Sequence, residues 1–139
     1  SAFENCKNLK SIAVPDTVTE MGTFAFRGCD NLMDATISES IKILPIGTFM
    51  DCKKLTNAGL SEGMAIISGL SFRGCDSLKY FYVTKNVQRI HSQSFPTGVE
   101  FDVDGANRFY HVENGSLTKI ETDDSNEVLE GNEIVKDPF

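Results

Sequence analysis

Apolar residues recur along the first two thirds of this chain with one interval. Phe3, Phe26, Phe49, Phe72 and Phe95 stand 23 residues apart, and Cys6, Cys29, Cys52 and Cys75 keep the same step, as do Leu9, Leu32, Leu55 and Leu78. Each copy follows F-x-x-C-x-x-L-x-x-φ-x-φ-x-x-x-φ-x-x-φ, with φ apolar. The first copy reads Phe3, Cys6, Leu9, Ile12, Val14, Val18, Met21, and the fourth reads Phe72, Cys75, Leu78, Phe81, Val83, Val87, Ile90. A period held through four copies without slippage predicts one structural unit stacked on itself, a solenoid.

The spacing inside the unit places its elements. Ile12 and Val14 alternate with period two, which predicts a short strand within Leu9–Val14 and within the equivalent segment of each copy, paired in a parallel ladder. Pro15-Asp16 follows as a turn. The step from Val18 to Met21 allows a second short extended segment. The spacing of about three through Phe26 and Cys29 predicts a single helical turn. One such unit cannot bury enough apolar surface to offset the entropy of ordering its backbone, so the copies must stack. The chain opens inside a copy, which predicts earlier copies before Ser1.

Residues alternating with the buried strand positions face outward in two columns. One runs Ser11, Asp34, Asn57, Tyr80 and the other Ala13, Thr36, Gly59, Tyr82. The fourth rung therefore presents two tyrosines side by side. Tyrosine offers contact area and a polar tip, as interfaces require. The same pair also suits a surface covered by the C-terminal segment, and the sequence leaves both readings open. Tyr80, Tyr82, Asn57 and Asp34 are the candidate binding residues.

The regularity ends at Pro96 and Gly98, dividing the chain into a repeat unit, 1–98, and an acidic strand-and-hairpin cap or tail, 99–139. In that second part Phe101 and Val103 alternate, consistent with one more strand. Asn114-Gly115 joins the alternating runs Phe109–Glu113 and Ser116–Ile120, a hairpin signal that would place a cap on the last rung. A second hairpin is plausible at Val128-Leu129 and Ile134-Val135, after a loop from Glu121 to Glu127. Asn114-Gly115-Ser116 is also a glycosylation sequon, relevant in a eukaryotic secretory setting.

Charge sharpens this division. The net charge of −7 comes from the second part: residues 1–98 hold 10 Lys/Arg against 9 Asp/Glu, and residues 99–139 hold 3 against 11. A near-neutral solenoid with an acidic tail argues against a nucleic-acid partner. No apolar run reaches the length needed to span a bilayer, so no membrane insertion is expected.

The candidate chemistry is sparse. Four cysteines in one stacked column occupy core slots, which predicts buried thiols, although the rung spacing of about 4.8 Å does not by itself forbid a bridge. A straight column cannot surround zinc tetrahedrally. His91 and His111 have no serine or cysteine partner in a known motif. Asp102, Asp104 and Glu113 faintly suggest a calcium loop, but Ala106 stands where a ligand is needed and Asn107 where glycine is. No catalytic residue, metal site or cofactor is expected.

The unit A-F-x-x-C-x-x-L-x-x-I-x-V-P-x-x-V, seen from Ala2 to Val18, resembles the BspA-like leucine-rich repeat family, over residues 1–95. Asn107, Tyr110, Gly115 and Leu117 are similar to the N-x-x-Y-x-x-x-x-G-x-L stretch found between repeats in such proteins. Ala35 and Ala58 depart from the usual isoleucine, which should loosen packing locally. The resemblance implies a leucine-rich-repeat solenoid in a large bacterial surface or secreted protein, without catalytic residues. It also implies adhesion to host matrix proteins such as fibronectin and fibrinogen, or to other cells. The expected function is therefore an extracellular, non-catalytic protein-binding module with its contact surface on the open ladder face. A structural spacer, an intracellular scaffold, or part of an enzyme whose active site lies elsewhere are the alternatives.

Overall fold

The computed structural model describes residues 3–120. They form ten short strands: β1 Ser11–Ala13, β2 Asp34–Thr36, β3 Ile43–Leu44, β4 Asn57–Gly59, β5 Ile66–Ile67, β6 Tyr80–Val83, β7 Arg89–Ile90, β8 Glu100–Val103, β9 Tyr110–Glu113 and β10 Ser116–Lys119. β1, β2 and β4 make a parallel sheet in which Ser11, Asp34 and Asn57 are partners, as are Ile12, Ala35 and Ala58. β3, β5 and β7 make a second parallel sheet, Ile43 beside Ile66 beside Arg89. Both sheets keep the 23-residue step; the second extended segment is a strand in the second, third and fourth copies, but the Val18 to Met21 segment of the first copy is not. The strands are shorter than Leu9–Val14, because leucine at the start of each segment belongs to the preceding turn: Leu32 donates its N–H to Cys29 and Leu55 to Cys52.

The segment expected to form a helical turn is instead a run of tight turns, and no helix occurs among the described residues. Two positions per copy adopt the left-handed conformation: Phe24, Gly47 and Leu70 in one column, and Asn5, Gly28, Asp51 and Gly74 in the other. Alternating hands cannot propagate a helix. They aim every second N–H at the next coil instead, so Phe24, Phe26 and Gly28 donate to Ile46, Thr48 and Met50 at 2.8–2.9 Å. This third backbone ladder has a steric condition. A Cβ on Gly28 would overlap the Asn5 side chain, one on Gly74 the Asp51 side chain, and one on Gly47 the Phe24 ring. Left-handed Asn5, Phe24 and Asp51 thus each have glycine on the next coil, whereas left-handed Leu70 is followed there by Gln93.

The core is a set of side-chain columns. Phe3, Phe26, Phe49, Phe72 and Phe95 stack with centroids 5.0–5.5 Å apart and planes within 17°. Leu32, Leu55 and Leu78, and Leu44 and Ile67, are buried beside them. Thr48, Ser71 and Ser94 are fully buried in another column, and each hydroxyl donates to a backbone carbonyl at 2.7–3.0 Å. Exposed pairs also repeat at the 23-residue step, Lys7 with Asp30 at 2.8 Å and Glu62 with Lys85 at 3.6 Å; solvent screening leaves such pairs little weight in stability. The hydrogen bond from Lys7 holds the Asp30 carboxyl below its usual range.

All four cysteines are free thiols, with Cys29, Cys52 and Cys75 buried and Cys6 half-buried. The three buried Sγ atoms donate to the carbonyls of Phe3, Phe26 and Phe49 at 3.0–3.1 Å. Burial pushes Cys52 up to about 12 and Cys75 higher still. Only Cys6 is expected to react quickly with a disulfide reagent in the folded protein, the other three reacting on unfolding. A thiol titration with and without urea checks this. The ordinary thiol value is 9.0, and the three buried thiols, Cys29, Cys52 and Cys75, lie above it in the folded chain. The thiols' contribution is thus intact below that value and is lost as pH rises through the raised ones, so the unfolding midpoint should fall under alkaline conditions.

The beat changes at the fourth rung. β6 lies beside β4 without joining its sheet and pairs with β8, Tyr80 to Glu100 and Phe81 to Phe101, a step of 20 residues. Phe81 occupies the slot filled by Ala35 and Ala58 below it. It is fully buried and meets Phe95 edge-on at 4.7 Å, while Phe95 meets Phe101 at 5.0 Å. The expected strand around Phe101 and Val103 is thus the next rung.

The hairpin expected across Asn114-Gly115 is β9–β10, antiparallel, with Glu113 opposite Ser116. Asn114 and Gly115 both have positive φ, as a two-residue turn of this kind requires. The hairpin closes the second sheet with side chains. The Tyr110 hydroxyl accepts the Ile90 N–H at 2.8 Å and the Lys119 ammonium donates to the Gln88 carbonyl at 3.0 Å, so groups on the outer edge of β7 are satisfied without another strand. Asn107 is buried beneath it. Its Nδ2 donates to the carbonyls of Thr84 and Val87 at 2.8 and 3.1 Å, and its Oδ1 accepts the N–H groups of Phe109 and Tyr110 at 2.7 and 2.9 Å. The second hairpin expected at Val128-Leu129 and Ile134-Val135, and the loop before it, lie outside the described residues.

Candidate binding face

The outward face of the first sheet, continued by the separate β6–β8 pair beside it, is built by alternation. In β6, Phe81 and Val83 point into the core, so Tyr80 and Tyr82 must point out, and they are 51% and 41% exposed. The same parity places Asp34 and Thr36 outward on β2, Asn57 on β4, and Glu100 and Asp102 on β8, all exposed. The four candidate residues thus lie on one face. Asp34 and Asn57 are register partners, and the Asn57 amide donates to the Asp34 carboxylate at 3.4 Å.

The tyrosines are anchored from the following rung. Tyr80 donates its hydroxyl to Asp102 at 3.2 Å, and Tyr82 donates to Asp104 at 3.1 Å. Partial desolvation, followed by these carboxylates, holds both phenols above their ordinary range. Glu100, Asp102 and Asp104 were not among the candidates read from the sequence. They join the face because the last rung steps by 20 residues, so extending the columns by 23 misses them. The alternation of Phe101 and Val103 was the available signal, since it turns Glu100 and Asp102 outward.

The arrangement offers contact area, hydroxyls and carboxylates. Among the described residues no group of three or more His, Cys, Asp or Glu side chains is placed to hold a metal. His111 pairs with Glu113 at 3.1 Å at the hairpin, apart from the candidate residues. No helix among the described residues is long and apolar enough to cross a membrane.

Comparison with known proteins identifies the architecture. The chain is similar in structure to a leucine-rich repeat protein from Bacteroides ovatus, with a TM-score of 0.66 and 32% identity over 74% of this chain and 27% of that one. It is also similar to the pneumococcal vaccine antigen PcpA, with a TM-score of 0.62 and 19% identity over 79% of this chain and 34% of the other. A leucine-rich cell surface protein from Faecalibacterium prausnitzii gives a TM-score of 0.58 and 18% identity over 82% and 43%. The chain thus spans about a quarter to two fifths of these proteins' lengths. No curated protein sequence matches it. The BspA type leucine rich repeat region, described with 6 copies, matches residues 1–98. With its in-register coils and this match over most of its length, the chain belongs to the BspA-type leucine-rich repeat family.

Proposed function

We propose that this chain is a non-catalytic protein-binding module of a secreted or cell-surface protein, acting in adhesion to host matrix or cell-surface proteins. The observation that carries the reading is the exposed Tyr80–Tyr82 pair, standing on a rigid ladder with Asn57 and Asp34 on the same face. A face whose strands are held by backbone bonds within β1, β2 and β4 and between β6 and β8 loses little entropy when a partner lands on it. Tyrosine is among the residues that dominate binding energy at interfaces. The surface location is supported by similarity to a leucine-rich cell surface protein and to a vaccine antigen.

The double variant Tyr80→Ala/Tyr82→Ala tests this. Capture of a partner from a panel of immobilised matrix and cell-surface proteins should weaken by at least about tenfold. The urea midpoint should barely move, because neither ring fills the core. Undiminished capture would remove the face from the mechanism. Absence of capture by the unaltered chain across the panel would favour a spacer that holds other parts of a longer protein apart.

A further inference from the structure

The chemistry of the face selects its occupant. Its two outward columns run Ser11, Asp34, Asn57, Tyr80, Glu100 and Ala13, Thr36, Gly59, Tyr82, Asp102, with Asp104 just beyond. They hold acids and no lysine or arginine; Lys79 and Lys85 flank β6 outside them. An apolar segment laid here would strip water from carboxylates without replacing their hydrogen bonds. An anionic one would be repelled, and that includes this chain's own residues 121–139, which carry seven acids and one lysine.

A cation satisfies both parts of the surface. Aromatic faces attract ammonium and guanidinium groups, and carboxylates beside them add charge-assisted hydrogen bonds. The chain uses the first of these contacts internally, with the Lys119 ammonium 5.1 Å from the Tyr110 ring centre and the Arg27 guanidinium 5.3 Å from that of Phe24. The hydroxyl bonds to Asp102 and Asp104 restrict the tyrosine rings and hold each beside a carboxylate.

We propose that the Tyr80–Tyr82 face, with Asp102 and Asp104, recognises arginine or lysine side chains on an extended basic segment of a protein partner. This rests on the binding role proposed above and adds the partner's chemistry. Arginine fits better, since its planar fork can pair with a carboxylate while stacking on a ring.

The probe is a synthetic peptide of alternating arginine and glycine, titrated into the isotope-labelled full chain while amide shifts are followed. A glutamine-for-arginine peptide is the control. Shifts are expected to concentrate at residues 80–83 and 100–104, to fade with added salt, and to be missing with the control. In the variant Asp102→Asn/Asp104→Asn the amide oxygen can still accept the Val103 or Ala106 N–H and the amide nitrogen can donate to the tyrosine oxygen, so the fold should persist while affinity drops about tenfold. Equal binding of the two peptides, or shifts falling on the acidic stretch 121–139 instead, would overturn the proposal. If Tyr80→Ala/Tyr82→Ala abolishes capture of a matrix or cell-surface protein but the arginine peptide neither binds nor competes, the cationic assignment fails and the binding face stands.

Discussion

Replacing Phe49 by alanine is expected to lower the unfolding free energy by about 3–5 kcal/mol, the range for emptying a buried phenylalanine site. Phe49 is fully buried, with the rings of Phe26 and Phe72 each 5.5 Å away. The site cannot collapse onto the gap, because the rung spacing is set by backbone bonds on either side. Phe26 donates to Thr48 at 2.9 Å and Phe49 to Ser71 at 2.8 Å. The comparison variant is Phe3→Ala at the first coil, where the ring is 45% exposed; less area leaves water there, so it should cost less than half as much. Urea unfolding followed by circular dichroism checks both. Equal losses would mean that the rings do not form the graded stack described.

The second large effect is expected at the C-terminal cap. Asn107→Ala should cost about 3 kcal/mol, since each buried polar group left unpaired costs about 1–3. Four backbone groups depend on that one side chain, the carbonyls of Thr84 and Val87 and the N–H groups of Phe109 and Tyr110. Asn107→Asp should be no better, because a carboxylate would face the two carbonyls. The damage should be local at first. Coils contact mainly their neighbours, so amide exchange should rise on β6 to β10 before β2 and β4. Uniform exchange along the chain would contradict this capping role.

The sequence and the structure agree where a periodic constraint is also a packing constraint. Phe49, Cys52 and Leu55 repeat because each fills a slot of fixed size between identical neighbours, so parallel register and core membership were legible from spacing alone. The turn segment was misread as helical because spacing of about three is shared by helices and consecutive tight turns. The distinguishing signal runs at twice the repeat, in Asn5, Gly28, Asp51 and Gly74. Glycine on every second coil makes room for its neighbour's side chain, and a 23-residue frame hides that alternation.

The face was legible only in part. Tyr80, Tyr82, Asn57 and Asp34 follow from strand parity. Asp102 and Asp104 do not, because the ladder advances by 20 residues at the last rung and not by 23. A motif such as Asn107–Tyr110 was visible as a resemblance, but its physical task was not. That task depends on Thr84, Val87 and Ile90, which lie on the coil it covers.

The in-register stacking that makes one continuous face can be measured directly by inter-strand backbone nuclear Overhauser effects in the labelled chain. Contacts should join Asp34 with Asn57, Ile43 with Ile66 and Ile67 with Ile90 at the 23-residue step, and Tyr80 with Glu100 at the 20-residue step. Contacts at any other offset between these strands, or antiparallel patterns within the repeats, would contradict the columns on which the face is built.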